Sequence, residues 1–106
     1  MRDDFLLVLC TCPSHSAAVV IAPALLEERV AACVKHVPGI KSMYRWEGRV
    51  EQDEEVLLLI KTTRDMYPQV EATIAKLHPY ELPEVIGVPL AAGSDAYLSW
   101  IKSSTE

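Results

Sequence analysis

Three cysteines and three histidines give this chain its candidate metal ligands. Cys10 and Cys12 lie near the end of an apolar run, and His78 occurs far later in the sequence, just before a proline. A thiolate and an imidazole together suit copper, zinc and similar borderline metals. Glu81 and Glu84 follow His78 closely and could complete the ligand shell, as could water. The pattern therefore indicates a divalent metal site that begins with Cys10 and His78.

Each of these residues also has a purely structural interpretation. A cysteine within an apolar strand is usually a small core residue, which is the common role expected for Cys10 and even more so for Cys12 and Cys33. His78 ends a predicted helix, where a histidine can interact with the negative end of the helix dipole. His15 and His36 are expected to be surface or strand residues.

Motifs typical of enzymes are missing from the sequence. It contains no GxSxG, HExxH, P-loop or GxGxxG pattern, and its serines and histidines lack the spacing of a catalytic triad. We therefore predict a non-catalytic protein. An enzyme whose site is spread through the sequence is the weaker alternative.

Composition limits the function further. With 106 residues, 50% of them hydrophobic, the chain is expected to form one globular domain over residues 1–106. Its net charge of −5 argues against nucleic acid and anionic membranes as partners. No apolar run reaches the roughly 18 residues of a spanning helix, and Met1 to Asp4 lack the features of a signal peptide. A cytoplasmic protein is expected, with reduced thiols, because three cysteines are too few for a disulfide framework.

Hydrophobic periodicity predicts alternating strands and helices. The predicted strands are Phe5–Cys12, Ala32 to Trp46 with a bulge at Pro38-Gly39, Arg49–Thr63 and Val85–Leu90. The predicted helices run from a cap at Ser14 or Ser16 to about Val30, from a cap at Thr63 or Asp65 to Leu77, and from Ser94 to about Lys102. Pro23 predicts a kink in the first helix or its division into two short helices.

The order βαββαβ plus a short helix predicts an α+β fold, a ferredoxin-like sandwich with an antiparallel sheet. Right-handed crossovers make the first two strands parallel, with the other two running the opposite way. The end of the first strand and the start of the fourth then lie at the same edge. We therefore expect Cys10 and His78 to converge, and Cys33 to lie at the opposite edge, where only a neighbouring subunit's site could use it.

Three predicted strands are apolar at both odd and even positions, in the runs Phe5–Cys10, Val56–Ile60 and Val85–Leu90. A sheet covered by helices on one face should instead alternate apolar and polar residues. Other copies of the chain are the expected cover, which predicts an obligate homo-oligomer. Tyr44, Trp46 and Tyr80 could form an aromatic cleft, with interface packing as the favoured alternative.

Several segments together resemble the CutA family of divalent-cation-tolerance proteins. They are Leu25–Val34, Val37–Ile40, Tyr44–Gly48, Glu55–Thr62, His78–Glu84 and Asp95–Ile101, and they include the motifs WEG and HPYxxPE. The resemblance implies a ferredoxin-like homotrimer, similar to the PII signalling proteins, cytoplasmic in bacteria and associated with copper and other divalent cations. It places the family's metal-linked cysteine at Cys10 and its metal-linked histidine at His78. Some members have a second histidine where this chain has Leu77.

The leading hypothesis is a non-catalytic homotrimer that binds Cu(II) or another divalent cation and needs no organic cofactor. Its expected ligands are Cys10 and His78, with Glu81, Glu84 and Cys33 as weaker candidates. The alternative is a PII-like signalling or scaffold module that binds a small molecule or a partner protein at clefts between subunits.

Overall fold

The structure is a computed structural model that describes residues 4–106. In chain order it contains β1 (Phe5–Cys12), α1 (His15–Glu27), β2 (Cys33–Trp46), β3 (Arg49–Thr63), α2 (Tyr67–Leu77), β4 (Ile86–Pro89) and α3 (Asp95–Ser104). The strands form one antiparallel sheet in the order β2-β3-β1-β4. These features confirm the predicted α+β, ferredoxin-like βαββαβ fold with a C-terminal helix.

Membrane and export features were also expected to be missing. Within residues 4–106, no helix has the length and apolar character needed to cross a bilayer. The prediction that the chain lacks a signal peptide rested partly on Met1, Arg2 and Asp3, which lie outside the described residues.

One face of the sheet packs against α1 and α2. Alternate side chains of β1 are buried there, as the two-residue period of a strand requires. Buried side chains of α1 and α2, spaced three or four residues apart, complete the core. The core includes Leu6, Val8, Cys10, Cys12, Ala18, Ile21, Leu25, Leu58, Ile60, Val70 and Ile74. Burial of Cys10 and Cys12 in this layer confirms that both have a packing role.

Helix α1 begins as predicted but ends three residues earlier than expected. The Ser14 hydroxyl caps it by accepting a hydrogen bond from the Ala17 N–H at 3.2 Å. The helix continues through Pro23, so the alternative of two short helices is wrong. It ends at Glu27 rather than near Val30 because Arg29 adopts a left-handed conformation with φ of 60°.

The β2-β3 hairpin has a tight turn at Glu47 and Gly48 and the predicted bulge. Glu47 and Gly48 both have positive φ, 49° and 77°, which matches a turn whose twist suits antiparallel strands. The pairing register shifts between Val37 and Ile40, which confirms the bulge predicted at Pro38-Gly39. This hairpin is the longest part of the sheet, and it carries aromatic and acidic residues beyond the packed core.

Three smaller boundaries differ from the prediction. The N-cap of α2 is Met66 without a side-chain cap, not Thr63 or Asp65; the Thr63 hydroxyl instead accepts a hydrogen bond from the Met66 N–H, at 3.3 Å. Strand β4 is shorter than Val85–Leu90 because only Ile86–Pro89 pairs with β1. Helix α3 was predicted from Ser94 to about Lys102; it runs from Asp95 to Ser104, with Ser94 as its N-cap.

The other face of the sheet remains largely apolar and uncovered within this chain. Helix α3 reaches part of it, where Lys61 Nζ donates a hydrogen bond to the Tyr97 hydroxyl at 3.2 Å. Other residues of this face are half-buried or exposed: Leu7, Leu9, Leu57, Leu59, Val37, Ile86 and Val88. We name these seven residues the open face. The sequence-based expectation of a second apolar face is therefore confirmed at the level of the single chain.

Thr62 provides a prediction about stability. Its fully buried hydroxyl donates a hydrogen bond to the Val30 carbonyl at 2.6 Å, joining β3 to the segment after α1. Thr62→Val should lower the free energy of unfolding by about 1–3 kcal/mol, because the buried carbonyl loses a partner. Urea unfolding measures this, with Ser103→Ala at an exposed position as the control. Equal stability of both variants and the parent would contradict the assignment.

Candidate metal centre

Cys10, Cys12 and His78 form a cluster of potential metal ligands, which we name the thiol-imidazole cluster. Their ligand atoms, two Sγ atoms and a ring nitrogen, all lie within 4.8 Å of one another. Two sulfur atoms bound to one zinc ion at about 2.3 Å each can be separated by at most about 4.6 Å. The cluster is therefore close to the geometry that a shared ion needs. Within residues 4–106 no other three residues of ligand type meet in this way.

Local structure explains how the cluster forms. Cys10 and Cys12 are separated by one residue in β1, so their side chains lie on the same face of the sheet. His78 is the C-cap of α2, with extended backbone, and its N–H donates to the Ile74 carbonyl at 2.8 Å. The chain turns there toward the end of β1. The structure thus brings Cys10 and His78 to the same edge, by the topology that the sequence indicated.

Both ring nitrogens of His78 already have hydrogen-bond partners. The Tyr80 N–H donates to Nδ1 at 3.1 Å, so Nδ1 carries no proton. In the neutral ring Nε2 then carries the proton, and it donates to the Thr11 carbonyl at 2.8 Å. In this form His78 fastens the loop after α2 to β1. An ion could bind His78 only by replacing one of these two hydrogen bonds.

The two thiols of the cluster differ in acidity. A hydrogen bond with Cys12, followed by burial, raises the pKa of the Cys10 thiol, and the negative charges of Glu84 and Glu55 raise it further. The hydrogen bond from Cys10 lowers the pKa of Cys12, although burial opposes that effect. Cys12 is therefore the thiol that loses its proton more readily. Thiolates are the form that binds metals, so of the two thiols Cys12 is the better suited to act as an anionic ligand.

The weaker ligand candidates lie elsewhere. Glu81 and Glu84 are exposed and line a neighbouring cleft of about 650 Å³. Cys33 pairs with Lys61 at the end of the sheet opposite the cluster, where Lys61 also pairs with Leu7.

The remaining histidines form a separate exposed pair. The ring centroids of His15 and His36 are 6.2 Å apart.

Cys12 is the member of the cluster that sequence reasoning assigned only to packing. Its position two residues after Cys10 was the available signal, because that spacing puts both side chains on one face of a strand. Burial in the core layer does not prevent a ligand role here, since the sulfur atom lies beside a second thiol and an imidazole. Two soft sulfur donors and one nitrogen suit copper or zinc better than calcium or magnesium.

The phenol of Tyr80 offers a test of the loop beside the cluster. Partial burial and a hydrogen bond to Glu55 raise the pKa of Tyr80 to about 12. A raised pKa means that the folded state favours the neutral phenol, so this stabilising effect is present below about pH 10 and is lost toward pH 12. In an ultraviolet titration, Tyr80→Phe should remove one phenol that ionises near pH 12. Loss of a phenol with the ordinary pKa of about 10 would contradict this contact.

Comparisons with known proteins give the family context. Residues 6–104 match the family model described as CutA1 divalent ion tolerance protein. The chain is 49% identical over 98 residues to the divalent-cation tolerance protein CutA of Thermus thermophilus, covering 92% of this chain and 95% of that protein. It is 43% identical over 100 residues to the chloroplastic protein CutA of Arabidopsis thaliana, covering 94% of this chain and 55% of that protein.

A solved structure gives the same result. The divalent cation tolerance protein (Cut A1) from Thermus thermophilus superposes with a TM-score of 0.94 at 47% identity. The alignment covers 96% of this chain and 99% of that chain.

Proposed function

We propose that this protein, which belongs to the CutA1 divalent ion tolerance family, is a non-catalytic homotrimer that binds Cu(II), Zn(II) or a similar cation at the thiol-imidazole cluster. The observation that carries the proposal is the meeting of three ligand atoms within 4.8 Å on two different elements. Divalent cation tolerance is the family's role, and direct binding of the ion is the simplest chemistry that connects these residues to it.

The donor set determines how an ion would be held. Cys10 and Cys12 would supply two thiolates, and His78 would supply a nitrogen in place of its bond to Thr11 or Tyr80. The negative charge of Glu84 contributes to the raised pKa of Cys10, so Glu84 is preferred over Glu81 as the additional carboxylate. Cys33 pairs with Lys61 at the opposite end of the sheet, so it would serve only a site that includes a neighbouring subunit.

The open face supports the trimer. Its leucines, valines and isoleucine form a connected apolar surface across all four strands, because Leu9 pairs with both Leu59 and Ile86, and Leu57 pairs with Val37 of β2. Surfaces of this kind are normally buried by a partner, and closed symmetry allows identical copies to cover one another. We also propose one CutA-like domain over residues 1–106 and a cytoplasmic location, which the three free thiols favour.

A calorimetric titration of metal-stripped protein with Cu(II) and Zn(II) tests the site. Cys10→Ser, Cys12→Ser and His78→Ala should each weaken binding by about tenfold or more. The controls are Cys33→Ser and His36→Ala, which keep all three ligands. Unchanged affinity in all three ligand variants, or loss of binding in a control, would contradict the proposed site.

A PII-like module that binds a small molecule is the second candidate function. The cleft beside the cluster favours it, because its volume of about 650 Å³ lies in the range of small-molecule sites. In that case the variants Cys10→Ser, Cys12→Ser and His78→Ala would leave the protein's response to that small molecule intact.

A further inference from the structure

We propose that His15 and His36 form a second metal site, which binds Cu(II) or Ni(II) through two imidazole nitrogens and water. We name this pair the two-histidine site. It shares no ligand with the thiol-imidazole cluster. His15 is the first residue of α1 and His36 lies in β2, so the two nitrogen donors come from different elements.

The two-histidine site lies on the helical side of the sheet. His36 pairs with Leu58, whose fully buried side chain belongs to the core beneath α1 and α2. Side chains of directly paired residues point to the same face of an antiparallel sheet, so His36 points to the side of the helices. Its chain neighbour Val37 points the other way and belongs to the open face. Copies of the chain that cover the open face therefore lie on the opposite side of the sheet from both rings.

Both imidazole rings have nitrogens that are available to an ion. Within residues 4–106, neither ring forms a hydrogen bond with another protein group, and both histidines are exposed. His78 differs, because its ring nitrogens are bonded to Thr11 and Tyr80. An ion at the two-histidine site would thus replace only water, whereas an ion at His78 must also replace a hydrogen bond within the protein.

The separation of the rings indicates which ions fit. Their centroids are 6.2 Å apart. With metal–nitrogen bonds of about 2.0–2.1 Å and a ring nitrogen about 1.1 Å from the ring centre, two rings on opposite sides of one ion have centroids about 6.4 Å apart. The same bonds around a tetrahedral ion give about 5.2 Å. The observed separation is closer to the opposite arrangement, which the tetragonal geometry of Cu(II) and Ni(II) allows and the tetrahedral geometry of zinc does not.

Local structure holds both ligands in place. The Ser14 hydroxyl accepts a hydrogen bond from the Ala17 N–H at 3.2 Å and thereby fixes the first turn of α1, which carries His15. His36 is held by the pairing of β2 with β3. Two ligands on rigid elements act together on one ion, which strengthens binding over a single imidazole by about 100-fold or more. With two protein ligands rather than three, the two-histidine site should bind more weakly than the thiol-imidazole cluster.

Ni(II) is a suitable probe, because it is paramagnetic in an octahedral shell and does not oxidise thiols. The chain has 3 histidines, so isotope-labelled protein gives three sets of histidine ring signals in nuclear magnetic resonance spectra, which single variants assign. Ni(II) should broaden the His15 and His36 ring signals together and in a saturable way. The His78 signal reports on the thiol-imidazole cluster, so either site can fail without the other.

His36→Gln should weaken the effect of Ni(II) on the His15 ring by about tenfold or more, and His15→Gln should do the same for the His36 ring. Both side chains are exposed, so these substitutions should not affect folding. Glu27→Gln, at the exposed far end of α1, is the control and should respond like the parent. Unchanged His15 and His36 signals in the parent, broadening of one signal without the other, or full Ni(II) affinity in His36→Gln would overturn the proposal.

The two metal sites should also be separable in the calorimetric titration with Cu(II). His36→Ala removes a ligand of the two-histidine site and no ligand of the thiol-imidazole cluster. This variant should therefore lose the weaker binding event and keep the tighter one. A weaker event that persists in His36→Ala would contradict its assignment to the two-histidine site.

Discussion

Zn(II) should stabilise the parent protein strongly, and the Cys10→Ser/Cys12→Ser variant should lose that stabilisation. An ion that binds only the folded state at about 100 times its Kd adds about 2.7 kcal/mol to the free energy of unfolding. The double variant removes both sulfur ligands and leaves His78 alone, with its ring nitrogens bonded to Thr11 and Tyr80. Guanidinium unfolding with and without Zn(II) measures the effect.

The same stabilisation should depend on pH in a defined direction. Metal binding displaces the thiol protons, and the raised pKa of Cys10 keeps its proton bound at neutral pH. Stabilisation by Zn(II) should therefore increase as pH rises from about 6 to 8, by up to about tenfold in affinity per pH unit for each displaced proton.

Cys33→Ser is the control for general effects of thiol removal. Equal stabilisation of the parent and the double variant would contradict the role of the thiols.

Leu9→Glu should convert the proposed trimer to monomers. Leu9 lies in the centre of the open face, paired with Leu59 on one side and Ile86 on the other. A carboxylate buried there would have no cation beside it in either pair, and burying such a charge costs several kcal/mol. Light scattering should give about three times the chain mass of 11.8 kDa for the parent and about the chain mass for the variant.

Val20→Glu is the control for this substitution. Val20 is an apolar residue of α1 that is 53% exposed, on the helical side of the sheet rather than on the open face. Its replacement by Glu should leave the mass unchanged. A parent that is a stable monomer, or a Leu9→Glu variant that keeps the parent's mass, would show that the open face is not the interface.

Strand and helix positions could be predicted from the sequence where local pattern and packing agree. Phe5–Cys12 and Arg49–Thr63 were both predicted with the observed bounds, because each contains an apolar run and is flanked by turn residues. The end of α1 and the N-cap of α2 could not be predicted, since Arg29 in a left-handed conformation and an uncapped Met66 have no clear sequence signal. The fold class was predicted from the order of the strands and helices, and it did not depend on where α1 ends or where α2 begins.

The candidate site was predictable only in part. Chain topology was enough to bring Cys10 and His78 to one edge of the sheet. The participation of Cys12 depends on where its sulfur atom points within a packed layer, and the apolar sequence around it suggested packing alone. The hydrogen bonds that fix the His78 ring come from backbone groups of Thr11 and Tyr80, which no side-chain pattern can reveal.

X-ray absorption spectroscopy of the protein loaded with one equivalent of Zn(II) per chain tests the central claim most directly, because it identifies the atoms bound to the ion. We expect two sulfur neighbours at about 2.3 Å and at least one nitrogen neighbour at about 2.0 Å. The Cys12→Ser variant should show one sulfur neighbour. A parent spectrum with only oxygen and nitrogen neighbours would contradict binding at the thiol-imidazole cluster.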